Sequence, residues 1–193
     1  MPQPSPDPEK LRRAHPLAVR LIEVLPAGAR VIEIGAGRGR NTDALRAAGM
    51  DVVAIDDAQA PHFEVQSASF DAALSTHAFL HGTHAIAAAM VTATARALRA
   101  NAPLYCTFAS ISDARFGQGR KLGEGTYAPE EGDEAGVPHV YFDREQLLSL
   151  LHPLFTIEEL TETPADATVG RWAHTQTPAG TVHWFVRARK RTG

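Results

Sequence analysis

Short apolar runs alternate with amphipathic segments along most of the chain. Apolar runs rich in β-branched residues predict strands, and apolar residues at a spacing of three and four predict helices. The expected strands cover 30–34, 51–55, 71–75 and 103–110, followed by a final pair at 154–160 and 181–189. The expected helices cover 16–25, a short segment from Asn41 or Thr42 to Gly49, 84–100, and a segment that follows the capping-box pair Asp143 and Gln146. Strands that alternate with helices predict an α/β protein with a mostly parallel sheet and a C-terminal antiparallel strand pair.

The same pattern predicts one domain. The first fifteen residues hold prolines at every second position from Pro2 to Pro8, so we expect 1–15 to be flexible and 16–193 to form the domain. Residues 72–95 lack Asp, Glu, Lys and Arg, but their histidines and many Ala and Thr favour a buried strand and helix over a membrane span. Residues 111–138 show no sustained periodicity, and loops of that length are typical of lids over active sites.

Composition excludes several classes of function. The 193 residues are 44% hydrophobic with a formal charge of −3, which gives no basic surface for nucleic acid. Cys106 is the only cysteine, so neither an intrachain disulfide nor a cysteine-based zinc site is possible. The polar N-terminus does not resemble a signal peptide. We therefore expect a cytoplasmic protein, a monomer or homodimer, that binds neither membranes nor nucleic acid.

A glycine-rich turn between the first two strands indicates a site for a nucleotide-like ligand. Gly35, Gly37 and Gly39 alternate there, and Asp56 follows about twenty residues later, where a carboxylate can accept the two ribose hydroxyls. The turn lacks the Gly-Lys-Ser/Thr of a P-loop. A dinucleotide turn needs a small residue where Arg40 stands, which counts against NAD.

The pattern E-x-G-x-G-x-G that begins at Glu33 resembles the first motif of class I S-adenosylmethionine-dependent methyltransferases. "SFDAALSTHAFLH" (69–81) is similar to the fourth-strand signature of that family, and "ARALRANAPLY" (95–105) to the helix and strand that follow. "GVPHVYFDREQLLSLL" and "VHWFVRARK" resemble the C-terminal part of small-molecule members, including the tellurite-resistance type. The resemblance covers about residues 30–190 and implies a Rossmann-like fold with S-adenosyl-L-methionine as the cofactor.

The resemblance also implies which residues bind the cofactor. They are Glu33, Gly35, Ala36, Gly37, Arg38, Gly39, Asn41, Asp56, Asp57, Ser75 and Thr76. One departure concerns residues 57–69, which are too few for the helix and third strand that family members carry there. We therefore expect this region to be shortened, the sheet to lose an edge strand, and Asp57 or Ala58 to border the adenine.

Methyl transfer from a sulfonium is an in-line displacement that requires positioning but no nucleophilic side chain. His77, just past the fourth strand of the family, is the candidate general base, and a packing histidine is the alternative. His77, His81 and His84 have a spacing that suggests zinc on a helix, but Gly82 interrupts such a helix, so we expect no metal. The candidate residues for a small-molecule acceptor are His81, Arg115, Phe116, Tyr127, His139 and Tyr141.

Two other functions stay open at this point. The chain could be a non-catalytic protein that binds S-adenosylmethionine, a hypothesis that the shortened segment after Asp56 supports. A nucleotide-dependent oxidoreductase is the second alternative, which Arg40 opposes. The sequence does not indicate whether the acceptor atom is O, N, S or a metalloid.

Overall fold

The computed structural model describes residues 14–56, 60, 63–132, 134–164 and 179–192. The predicted flexible start lies outside this part of the chain up to residue 13, as do Asp57 and Ala58, the two residues predicted to border the adenine. The helices are α1 (Pro16–Val24), α2 (Arg40–Ala47), α3 (His84–Ala97) and α4 (Arg144–Leu151). The strands are β1 (Arg30–Ile34), β2 (Asp51–Ile55), β3 (Ala72–Ser75), β4 (Pro103–Ser110), β5 (Arg120–Gly123), β6 (Thr126–Ala128), β7 (His139–Phe142), β8 (Phe155–Pro164) and β9 (Val182–Lys190).

The main sheet confirms the predicted fold class. Strands β2, β1, β3 and β4 lie side by side in parallel. Strand β9 pairs antiparallel with β4, and β8 pairs antiparallel with β9, which gives the C-terminal strand pair. Because the four parallel strands point the same way, their carboxyl ends meet at one edge of the sheet, where ligands bind in open α/β folds.

Helices pack on both faces of this sheet. On one face, α1 and α2 bury Leu17, Leu21 and Leu45 against the sheet. On the other face, α3 and α4 cover a larger apolar cluster that includes Met90 and Leu147. The sheet is thus the middle of three layers, which leaves its edges as the open part of the structure.

Strand β2 forms one of those edges. Among the residues described between β2 and β3, none forms a strand, which agrees with the prediction that this region is shortened and an edge strand lost. Just before β3, Phe70 forms an isolated β-bridge with Leu98, which follows α3. The same bridge explains why α3 ends at Ala97 and not at residue 100, since Leu98 is already extended.

Two further details differ from the sequence prediction. Asn41 and Thr42 do not cap α2; the N-cap is Gly39, and both side chains lie buried in the first turn of the helix, engaged in contacts to other elements. Residues 111–138 are not irregular throughout. Strands β5 and β6 form a hairpin, and β6 also pairs antiparallel with β7. Strands of three or four residues are too short to show a periodicity in the sequence.

Residues 72–95 form β3, a short 3-10 turn (Ala78–Leu80) and most of α3, as the strand-and-helix interpretation predicts. Within the described ranges, no helix combines the length and the apolar character that a membrane span requires. The predicted capping box at α4 is present, with the Asp143 side chain accepting from the Gln146 N–H and the Gln146 side chain accepting from the Asp143 N–H.

Candidate active site

The glycine turn lies between β1 and α2, at the carboxyl edge of the sheet. Gly35, Gly37 and Gly39 have φ angles of 76°, 51° and 79°, a backbone region that other residues rarely adopt. The N–H groups of Gly35 and Ala36 both donate to the Ile55 carbonyl at 2.9 Å. These bonds hold the turn against the end of β2, directly beside Asp56.

The hydrogen bonds of this turn also bear on the type of ligand. Because the Gly39 N–H donates to the Ala36 carbonyl at 2.8 Å, three of the five amides in 35–39 are already engaged within the protein. A dinucleotide turn presents its amides and a helix N-terminus to the pyrophosphate. The engaged amides therefore argue against a pyrophosphate at this position, as Arg40 does in the sequence.

Glu33 joins the turn to α2. This buried carboxylate accepts a hydrogen bond from the Thr42 hydroxyl through Oε2. Its other oxygen, Oε1, is buried and has no hydrogen-bond partner in the described part of the chain. Burial raises the pKa of Glu33, against the opposing effect of the Thr42 and Asn41 side chains.

Asn41 connects three segments of the site. Its Oδ1 accepts the His15 N–H at 2.8 Å, and its Nδ2 donates to Thr76 Oγ1 at 3.0 Å. The start of α1, the first turn of α2 and the end of β3 are thereby held together. Ser75 and Thr76, which the sequence analysis assigns to the same site, are buried there.

The remaining predicted cofactor residues lie closer to solvent. Asp56 follows the last residue of β2 and is exposed, and its carbonyl accepts the Ala60 N–H at 3.0 Å. Arg38, within the glycine turn, is also exposed. The described members of the predicted set, buried and exposed, thus lie around the carboxyl ends of β1, β2 and β3.

His77 has a strained backbone, with φ of 83° and ψ of −17°. A non-glycine residue in this region costs on the order of 1–3 kcal/mol, and such residues concentrate at functional sites. The His77 N–H donates to Thr107 Oγ1 at 3.0 Å, which ties the end of β3 to β4. The conformation directs the His77 ring toward two further histidines, with ring centroids 5.9 Å from His15 and 5.3 Å from His183.

These histidines share a low basicity. Burial lowers the pKa of His15 and His77 well below its usual value, and neighbouring histidines and Arg40 lower it further. Burial likewise lowers the pKa of His183 to about 3, with a further contribution from Arg115. All three imidazoles are therefore neutral near pH 7.

A second polar cluster lies where the hairpin meets the 3-10 turn. Glu134 Oε2 lies 3.3 Å from His139 Nε2, and Glu134 Oε1 lies 3.8 Å from His81 Nε2. Arg115 approaches the same carboxylate at 3.8 Å and is bound on its other side by the buried Asp113 at 3.0 Å. Contact with the His139 imidazole, followed by that with His81, holds the pKa of Glu134 well below its usual range, so this carboxylate is ionised.

Aromatic residues border this cluster. The rings of Phe116, Tyr127 and Tyr141 contact one another edge to face, with centroid separations of 5.5 to 6.3 Å. Phe116 is 38% exposed, so part of this aromatic surface is available to a ligand. Burial raises the pKa of Tyr141 to about 12, and its phenol therefore keeps its proton. The predicted acceptor residues are thus brought together, all of them on or beside the segment 111–141.

The histidine spacing seen in the sequence does not correspond to one cluster. His81 joins Glu134 and His139, whereas His77 contacts His15 and His183. The His84 ring instead packs edge-on against Phe142 at 4.8 Å. A surface cavity of about 380 Å³ lies beside His84 and shares no lining residue with the glycine turn.

Several residues of the site escaped the sequence analysis. They are His15, Arg40 as a neighbour of the histidines, Asp113, Glu134 and His183. His15 precedes a helix, Glu134 lies in an acidic loop and His183 stands in an apolar strand, so no local motif marks them. Only the pairing of β9 with β4 brings His183 to the carboxyl edge of the sheet.

Solved structures of other proteins share this architecture. No family model matches the sequence, and no curated protein sequence matches it. Among solved structures, the chain is similar to the 1,6-didemethyltoxoflavin-N1-methyltransferase of Burkholderia thailandensis, with 22% identity and a TM-score of 0.67 over 92% of this chain and 77% of that one. It is also similar to a SAM-dependent methyltransferase of Methanosarcina mazei, with 15% identity and a TM-score of 0.65 over 90% and 98%. A third similar structure is the [4+2]-cyclase SpnF, with 16% identity and a TM-score of 0.54 over 90% and 81%. The chain therefore has the fold of solved S-adenosylmethionine-dependent methyltransferases.

Proposed function

We propose that the protein binds S-adenosylmethionine and transfers its methyl group to a small-molecule acceptor. The observation that carries this proposal is the glycine turn, which is locked to α2 through Glu33 and Thr42 and held beside Asp56. An exposed carboxylate at this position suits the two ribose hydroxyls of a nucleoside. The engaged amides of the turn favour a nucleoside cofactor that has no pyrophosphate.

The polar groups near the turn fit the amino-acid part of such a cofactor. Glu33 Oε1 and Ser75 Oγ are buried and make no hydrogen bond within the described residues. Buried polar atoms of this kind are costly unless a ligand or water satisfies them. A cationic amino group suits the Glu33 carboxylate, and we assign Glu33 and Ser75 to hold this end of the cofactor.

When bound, the sulfonium supplies a methyl carbon that is already activated for displacement. The chain's own task is to hold the acceptor in line with that carbon and to exclude water. We assign to His77 the remaining step, the removal of a proton from an acceptor that carries one; its imidazole is neutral near pH 7 and so has a lone pair to accept that proton. Its strained backbone is consistent with a side chain held in place for function.

The acceptor would bind between His77 and the hairpin. Arg115, His81 and His139 offer polar contacts, and the rings of Phe116, Tyr127 and Tyr141 offer an apolar wall. The Burkholderia thailandensis enzyme, which was solved with a small molecule and S-adenosylhomocysteine bound, supports a small acceptor in a protein of this fold. Residues 111–138 would then act as a lid, with the hairpin as its ordered part.

Two alternatives remain, of which one has specific support. SpnF is a cyclase with a similar fold, and the region after β2 is short, so a protein that binds the cofactor without transferring methyl groups is the second candidate. An oxidoreductase is the weaker one, because the turn leaves few amides for a pyrophosphate.

A thermal-shift comparison of S-adenosylhomocysteine with NAD tests the proposal. Binding to the folded state stabilises it by RT ln(1 + [L]/Kd), about 2.7 kcal/mol at a hundredfold excess over Kd. We expect a rise in Tm with S-adenosylhomocysteine and none with NAD. The reverse pattern would overturn the cofactor assignment, and an absence of both shifts would contradict binding altogether. If the cofactor binds, the absence of methyl transfer across O-, N- and S-acceptors would favour the non-catalytic alternative.

A further inference from the structure

We propose that His81, Glu134 and His139 form a binding site for one divalent transition-metal ion of the zinc type. The three residues come from separate segments: the end of the 3-10 turn, the loop between β6 and β7, and the first residue of β7. One ligand atom from each lies within 4.8 Å of the other two. Two imidazoles and one carboxylate are a ligand set that holds catalytic zinc in other proteins.

The backbone fixes the two histidines next to each other. His81 and His139 form an isolated antiparallel bridge, and the Gly82 N–H donates to the Pro138 carbonyl at 2.8 Å. Their rings lie 5.1 Å apart at 87°. Residues far apart in sequence are thus held by main-chain hydrogen bonds, which is the preorganisation that a metal site needs.

Hydrogen bonding selects the tautomer of His139 that binds a metal. Its Nδ1 lies 2.9 Å from the Val137 carbonyl, which can only accept, so Nδ1 carries the proton. A neutral ring then presents the lone pair of Nε2 to the carboxylate. A backbone carbonyl on the opposite ring nitrogen is the usual support for a metal-binding histidine.

In this neutral tautomer, the Nε2 lone pair of His139 and the Glu134 carboxylate oxygen face each other as two acceptors. His139 is 2% exposed, and the Nε2 atoms of His81 and His139 are both buried without a hydrogen-bond partner in the described chain. Two acceptors at 3.3 Å require either a proton or a cation between them. With metal–ligand bonds of about 2.0–2.1 Å, tetrahedral coordination separates neighbouring ligand atoms by roughly 3.3 Å, which matches the pair.

Arg115 is the nearest competing cation, with Nη1 at 3.8 Å from Glu134 Oε2. Its guanidinium is held by two contacts to the buried Asp113, at 3.0 and 3.2 Å. The closest contacts of Arg115 are therefore to Asp113, and its contact with Glu134 is the longer one. Three protein ligands leave one position open, where a zinc ion would bind water or an acceptor heteroatom and lower its pKa. This last role rests on the proposed function, whereas binding of the ion does not.

The test uses untagged, metal-stripped protein and titration with Zn²⁺, together with the visible spectrum of the Co²⁺ form. We expect one ion per chain and the intense absorption of tetrahedral Co²⁺ in the wild type. Glu134→Gln and His139→Ala should lose both signals. His152→Ala, which removes an exposed histidine at the end of α4, should keep them.

Circular dichroism and the S-adenosylhomocysteine shift show whether each variant remains folded, and Glu134→Gln is the milder change if His139→Ala does not. A wild type that binds no zinc would overturn the proposal and leave an imidazolium–carboxylate ion pair in this place. Equal binding by wild type and Glu134→Gln would also overturn it, since the ion would then sit on other histidines. Cofactor binding is measured separately, so either hypothesis can fail while the other stands.

Discussion

The Asn41 side chain donates to Thr76 Oγ1 at 3.0 Å while it accepts the backbone N–H of His15 at 2.8 Å. This single amide joins the first turn of α2 to the end of β3 and to the residue before α1. All three residues are buried, so water does not reach these polar groups, and the two hydrogen bonds satisfy them instead. The arrangement fixes the distance between the glycine turn and the strand that carries His77.

We expect Asn41→Ala to lower the free energy of unfolding by about 1–3 kcal/mol, because it leaves buried polar groups unpaired. Urea unfolding of Asn41→Ala, Thr76→Val and the double variant would measure the coupling. The two single effects should add to more than the double effect by about 0.5–3 kcal/mol. Strict additivity would show that the contact contributes nothing.

His77 offers a test that separates stability from function. At φ of 83°, glycine is unstrained, whereas alanine keeps the cost of a left-handed backbone, about 1–2 kcal/mol. Since both substitutions delete the imidazole, we expect His77→Gly to melt at a higher temperature than His77→Ala. Both should retain S-adenosylhomocysteine binding and lose turnover of a true substrate. A less stable His77→Gly would argue that the backbone is not strained, and unchanged turnover would reduce His77 to a packing residue.

The histidines His15, His77 and His183 predict a loss of stability in mild acid. Their pKa values are lowered on folding, so the unfolded chain binds more protons below about pH 6.5, and protonation favours unfolding. The contribution of these neutral histidines to the free energy of unfolding is complete above about pH 6.5 and is lost as the pH falls toward their folded-state pKa values, which for His183 is about 3. Each histidine contributes up to about 1.4 kcal/mol per pH unit in this range. Glu33 opposes the trend, because burial raises its pKa and the folded state takes up that proton first.

Urea unfolding at several pH values between about 7.5 and 5 would measure the slope. His183→Asn should flatten it, and the exposed His152→Ala should not. Equal slopes in the wild type and His183→Asn would show that His183 is already protonated or accessible to solvent in the folded protein.

The sequence was most informative where neighbouring residues determine the local backbone conformation. The glycine turn, the strands on either side of it and the Asp143 capping box were predicted within a few residues, because each is encoded by residues next to one another. The absence of a strand among the described residues between β2 and β3 was predicted from segment length alone. In the sequence, Arg40 marks only a departure from dinucleotide turns, whereas in the structure its charge also lowers the pKa of His15 and His77.

Contacts between distant segments were not predictable. Asn41 and Thr42 are good capping residues, yet Thr76 and Glu33 compete for their side chains and leave the cap to Gly39. Glu134 reaches His139 only because β6 and β7 pair, and strands of three and four residues leave no periodic signal. These parts of the site depend on tertiary pairing, which no single segment specifies.

The hairpin can be perturbed with a matched pair of glycine substitutions. A Cβ at Gly119 would lie 2.3 Å from the Ala128 carbonyl oxygen, and its φ of 78° is unfavourable for alanine. A Cβ at Gly123 meets nothing within 4 Å. We expect Gly119→Ala to speed proteolysis within 111–138, with a cost of at least about 1–2 kcal/mol from the backbone alone. Gly123→Ala should cleave at close to the wild-type rate.

If the hairpin is part of a lid, S-adenosylhomocysteine together with an acceptor should protect residues 111–138 of the wild type from cleavage. Protection should be weaker in Gly119→Ala and preserved in Gly123→Ala. Equal cleavage with and without ligands in the wild type would argue that this segment does not close over the site.

The last prediction concerns the two acids at opposite ends of β2. Asp56 follows the carboxyl end beside the glycine turn, whereas Asp51 begins the strand and forms an exposed pair with Arg30 at 3.6 Å. Hydrogen bonds to an ionised group contribute about 1.5–3 kcal/mol each, so Asp56→Ala should weaken S-adenosylhomocysteine binding at least about tenfold. Asp51→Ala removes a carboxylate from the same strand without touching the site, and it should keep the full thermal shift. Isothermal titration of the three proteins gives the Kd values directly. Equal affinity in Asp56→Ala and the wild type would mean that the ribose is bound elsewhere, and a matching loss in Asp51→Ala would trace the effect to strand β2 and not to the carboxylate.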